Sequence, residues 1–168
     1  MRAIALRAAR LLARSTETLA TVLLIIVTAL NLTQVTGRYV FSTGFGWTEE
    51  AMRYLMIWLM MLGSVACIFR VEHMAVETVE SLVHPRHASL ARSALYTIAA
   101  VFCLFVLVYG WPLALRNAAQ VAPASGIPMI LPYLALPVGA FLMLVQIALS
   151  WIVGFEPDRS ADDPGGAA

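Results

Sequence analysis

Charge is scarce in this chain, and lysine is missing altogether. Of 168 residues 12% are charged and 61% hydrophobic, and every basic residue is arginine. Mean hydropathy is +0.82. Such a composition excludes a soluble domain and places the chain among integral membrane proteins. A net charge of +1 leaves no basic surface for nucleic acid, which is not expected as a partner. Histidine is rare as well. His73, His84 and His87 all fall in one connection between apolar runs, whereas haem held between membrane helices needs histidine inside them. Glu72 and His73 do not form the H-E-x-x-H pattern of a zinc hydrolase, and no glycine-rich phosphate loop is present. The two cysteines, Cys67 and Cys103, sit in apolar runs without a C-x-x-C pair and read as small packing residues. No carboxylate lies deep in an apolar run, so a proton- or drug-coupled exporter lacks its coupling residue. None of the runs is strongly broken near its middle, as the discontinuous helices of a transporter would be. These absences predict no catalytic centre, no metal and no cofactor.

What is present is an all-α membrane pattern. Four apolar runs, at about 16–36, 47–69, 90–113 and 132–153, each approach the roughly 20 residues a helix needs to cross a bilayer. Residues 1–15 carry Arg2, Arg7, Arg10 and Arg14 and no acid, which predicts a short basic helix at a membrane surface. The apolar run that follows is too long for a signal-peptide core and ends in no cleavage pattern, so it is expected to stay uncleaved. Residues 71–84 are amphipathic. Val71, Met74, Ala75, Val79, Leu82 and Val83 oppose Glu72, His73, Glu77 and Glu80, predicting a helix that lies in the membrane interface. The segment around Pro123, Pro128 and Pro132 cannot be regular helix. The polar stretch 155–168 is expected to be a disordered tail, leaving 16–154 as the membrane domain.

The most informative stretch is 37–58. A charged side chain at the bilayer centre costs about 2.5–3.5 kcal/mol, so charges beside a span need partners or water. Glu49 and Glu50 follow Thr48, a candidate N-cap, at the electropositive start of span two. Glu49 and Arg53 stand four apart in the favourable order for a helix pair. Glu50 points elsewhere and is the freer carboxylate, within possible reach of Arg38 across the turn. Gly44 and Gly46 break the helix there, among Tyr39, Phe41, Phe45 and Trp47, an aromatic set suited to a membrane interface. Upstream, Thr28, Asn31, Gln34 or Val35, and Arg38 recur at helical spacing, so Thr28, Asn31 and Arg38 share a face. That polar face should pack on another helix, either in this chain or in a separate protein.

Arginine placement sets the expected orientation. With the N-terminus inside, Arg2, Arg7, Arg10, Arg14, Arg70, Arg86, Arg92 and Arg159 are cytoplasmic, and only Arg38, Arg53 and Arg116 lie towards the other side. Both ends are then cytoplasmic, and the Glu49–Glu50 turn shares the outer face with the proline-rich loop.

The order of these elements resembles a known family. N-L-T-Q-V-T-G-R-Y-V-F and W-T-E-E-A-M-R-Y-L, then Gly63 and R-V-E-H-M-A-V-E, are similar to the small membrane subunit (DctQ type) of TRAP transporters, the tripartite ATP-independent periplasmic transporters. Asn31, Arg38, Tyr39, Phe41, Trp47, Glu49, Glu50, Arg53, Gly63, His73, Val76 and Glu77 fill the motif positions, although the family more often has Asp where Glu77 stands. The later I-P-x-x-x-P-Y-L-A-L-P-V-G is also similar, and the likeness covers about residues 20–150. The resemblance implies a multi-pass subunit of the bacterial inner membrane that is not an enzyme. Its implied partners are membrane lipid, a large membrane subunit and a periplasmic substrate-binding protein. It further implies sodium-driven uptake of an organic acid, of the C4-dicarboxylate or sialic acid kind. Arg38, Glu49, Glu50 and Arg53 would then be a subunit-interface or structural charge cluster. Glu72, His73 and Glu77 would belong to the interfacial helix, and Thr28 and Asn31 to the polar face of span one. Other readings are the small subunit of a tripartite tricarboxylate transporter, a membrane redox protein and a stand-alone exporter.

Overall fold

No glycine or proline interrupts residues 1–36 or 64–84, and both stretches are helical as far as they are described. A computed structural model describes the backbone of residues 2–42, 46–82 and 85–153, and the side chains there except at 2, 70–82, 85–89, 91–92 and 153. It contains four helices: α1 (Arg2–Val40), α2 (Gly46–Leu82), α3 (Pro85–Arg116) and α4 (Ile130–Val153). Each is long and apolar enough to cross a membrane. The protein is an all-α membrane protein.

Several boundaries differ from the sequence reading. α1 runs unbroken from the basic residues 2–15 into the first span. Its 39 residues make a rod of about 58 Å, roughly twice the ~30 Å hydrocarbon thickness. The segment from 71 to Leu82 is helical, as its periodicity predicts, but it continues α2 rather than starting a separate helix. The side chains of Glu72, His73, Glu77 and Glu80 lie outside the described residues, as does everything after Val153. Thr48 is not the cap of α2. The helix already begins at Gly46, so Thr48 sits buried in its first turn. Pro85 opens α3, where its missing N–H costs nothing. α3 then passes through Pro112 and ends at Arg116.

α1 lies against α2 and α4, and α3 lies chiefly against α4. The buried face of α1 is a stripe of small residues, Ala5, Ala9, Ala13, Thr16 and Ala20, with Val27 above them. Small side chains let helix backbones approach closely where no hydrophobic effect drives them together. α2 and α4 meet closely at Gly139, where an added Cβ would stand 2.7 Å from Met61 Cβ. α3 meets α4 where Gly110 faces Pro137, and again around buried Cys103, Ala140 and Ile147.

Between α3 and α4 the proline-rich segment forms a small closed hairpin. The Ala122 N–H donates to the Ile127 carbonyl at 2.9 Å, and the Met129 N–H to the Gln120 carbonyl at 2.9 Å. Gly126, at φ 69°, makes the left-handed turn that closes it.

Candidate functional site

The start of α2 is held on two sides by its two adjacent carboxylates. A helix turns about 100° per residue, so Glu49 and Glu50 point to different neighbours. Towards α1, the Gln34 amide donates from Nε2 to Glu49 Oε1 at 3.0 Å. Towards the hairpin, Glu50 Oε2 accepts from the Ser125 N–H at 2.9 Å and the Ser125 hydroxyl at 2.8 Å. Glu50 Oε1 takes a longer bond from the Ala124 N–H at 3.4 Å. Consecutive turn amides aimed one way make an anion-binding concavity, and here the anion is a side chain of the same protein.

The latch is the top rung of a ladder. Glu50, Tyr54 and Trp58 recur every four residues and so share one face of α2. The Tyr54 hydroxyl donates to Met129 Sδ at 3.5 Å, and the Trp58 indole N–H donates to the Leu131 carbonyl at 3.1 Å. The three contacts follow the chain from the hairpin tip into the first turn of α4. Over about 12 Å of helix they fix α2 to the α3–α4 connection.

This geometry corrects two sequence expectations. Glu49 is paired with Gln34 rather than Arg53, and Glu50 is the more engaged carboxylate, not the freer one. Arg38 and Arg53 are both exposed, and among the described residues neither forms an ion pair with Glu49 or Glu50. Arg53 adds only a background attraction at Glu50. The reason is energetic. An exposed i,i+4 pair gains only about 0.3–0.5 kcal/mol, so a neighbouring helix that offers a fixed donor outcompetes it. The Glu49–Glu50 turn and the proline-rich loop, expected to share a face of the membrane, lie at one end of the bundle and touch at Ser125. Ser125, Tyr54 and Trp58 were not singled out from sequence. The available signals were the Ser125-Gly126 turn pair and the four-residue spacing from Glu50.

The polar face of span one is also placed. Thr28, Asn31 and Arg38 are all exposed, so that face is not packed within the described part of this chain. Gln34 turns inward instead. Deeper in the bundle, Gln146 is fully buried, and neither its Oε1 nor its Nε2 has a hydrogen-bond partner among the described residues. Among the described residues no group of three or more His, Cys, Asp or Glu could hold a metal ion.

Comparison with known proteins identifies the setting of this latch. The family described as tripartite ATP-independent periplasmic transporters, DctQ component, matches residues 26–156. The chain belongs to the DctQ family. A Haemophilus influenzae protein assigned as a TRAP transporter small permease protein is 28% identical over 130 residues, spanning 77% of this chain and 81% of that relative. The DctQ match begins in the C-terminal half of α1 and takes in the Gln34–Glu49 contact, the Glu50 latch and the hairpin. DctQ components are transport subunits and not enzymes. This DctQ subunit is therefore an all-α membrane protein in which Glu49 and Glu50 tie α2 to α1 and to the hairpin.

Proposed function

We propose that this DctQ subunit braces the large membrane subunit of a TRAP transporter, which takes up an organic acid delivered by a periplasmic binding protein and driven by sodium. The observation that carries the reading is where the scarce charge goes. Glu49 joins α2 to α1, and Glu50 joins α2 to the α3–α4 hairpin, so both carboxylates at that end stiffen the bundle. A partner that moves a domain through the bilayer needs a scaffold that stays still under that load, and a cross-tied bundle supplies one. Arginine asymmetry supports an inner-membrane orientation with both termini cytoplasmic. The latch and hairpin then face the periplasm, where the binding protein docks. The continuous extensions 2–15 and 71–82 would lie at the cytoplasmic side, the first of them anchored to lipid headgroups through its arginines.

The test is removal of this subunit from cells that keep the other two components. Uptake should be lost while the large subunit is still inserted, and restored chain should co-purify with it. Full uptake without this subunit would reject the brace.

A further inference from the structure

We propose that Thr21, Leu24, Thr28, Asn31, Val35 and Arg38 of α1 form the seam on which a transmembrane helix of the large membrane subunit docks. The inference rests on the tripartite assembly proposed above and names the face that makes it.

The spacing is 3-4-3-4-3, the repeat by which one helix packs along another through knobs and holes. All six residues are exposed. The stripe that α1 uses inside this chain is a different one, running through Ala9, Thr16, Ala20 and Val27. α1 therefore has two packing faces and this chain occupies one.

Asn31 and Arg38 argue against lipid as the cover of the seam. Asn31 lies seven residues, about 10 Å, deeper than Arg38 along the helix. Among the described residues nothing bonds its side-chain amide. Acyl chains offer it neither donor nor acceptor, whereas membrane helices use such amides to bond across an interface. The hydroxyls of Thr21 and Thr28 fold back onto the Glu17 and Leu24 carbonyls at 2.9 and 2.8 Å, leaving a low surface that another backbone can approach. α3 shows the contrast. Its outward face at Ile98, Phe102, Phe105 and Val108 is bulky and wholly apolar, as a lipid-facing surface should be.

Charge decides against a second copy as the occupant. Copies in one membrane share an orientation, so a two-fold interface along α1 would be parallel and would set each seam residue against itself. Arg38 would then face Arg38 where the two seams end. A different helix can place a carboxylate or a carbonyl opposite Arg38 and a hydrogen-bonding group opposite Asn31.

The experiment uses the co-expressed small and large subunits in native membranes. Benzoylphenylalanine is placed at Leu24 or Val35 on the seam, and at Phe102 or Phe105 on α3. Illumination should join the seam positions to the large subunit and leave the α3 positions unjoined. In parallel, Asn31→Leu should lower co-purification of the large subunit roughly threefold to tenfold while the helical circular dichroism of the isolated chain is unchanged. Cross-linking from α3 alone, or co-purification with no seam cross-link, overturns the seam and leaves the assembly standing. A cross-link between two copies at the seam overturns the assigned occupant. No cross-link to the large subunit from any of the four positions, together with no co-purification of the unsubstituted chain, overturns the assembly reading itself.

Discussion

Glu49 and Glu50 are neighbours in sequence that serve different helices. Glu49 is held by one amide donor, whereas Glu50 collects three donors from the hairpin. Glu50→Gln should therefore weaken the protein more than Glu49→Gln, and Ser125→Ala should fall below Glu50→Gln because the Ser125 backbone N–H survives. Limited proteolysis at 120–129, read beside uptake by the assembled transporter, checks that order. Equal and wild-type behaviour of the two glutamate variants would show that the latch carries no load. Gln146 gives the opposite kind of prediction. A buried amide without partners costs about 1–3 kcal/mol, so Gln146→Leu, of similar volume, should leave stability unchanged or raise it by on the order of 1 kcal/mol. Thermal unfolding in detergent reads this directly, and a clear loss would mean that the amide is bonded in the folded protein.

At the scale of elements, the helices were legible in the sequence because long apolar runs and the absence of breakers leave few alternatives. Their continuity was less so. Hydropathy falls where a helix leaves the bilayer, but backbone hydrogen bonding does not, so α1 and α2 pass through the polarity changes near residues 15 and 70 without a break. The paired carboxylates were legible as well, since charge beside a span demands an explanation. Their partners were not, because Gln34 and Ser125 lie 15 and 75 residues away and only the packing of helices brings them in. Gly139 is a similar case, an unremarked glycine whose role depends on Met61 across the interface. A methyl group there collides with a side-chain root that cannot swing aside, so Gly139→Ala must separate α2 from α4. The expected cost is about 1–3 kcal/mol of overpacking strain, measured by thermal unfolding in detergent. An unchanged midpoint would show that the two helices are not in close contact.

For the whole molecule, four helices of alternating direction among the described residues set the start of α1 and the end of α4 on one side of the bundle and the latch on the other. The two carboxylates at the latch end are spent on internal ties, and the outward faces of α1 and α3 differ in polarity. Under the proposal above, this is the layout of a subunit that is held by a neighbour on one flank and by lipid on another, with a task in holding position rather than in handling solute. The most direct measurement is uptake into proteoliposomes under an imposed inward sodium gradient, with the binding protein and its organic acid outside. Transport is expected when this chain and the large subunit are reconstituted together, and none when this chain is reconstituted alone. Sodium-driven accumulation of solute by this chain in the absence of the large subunit would contradict it.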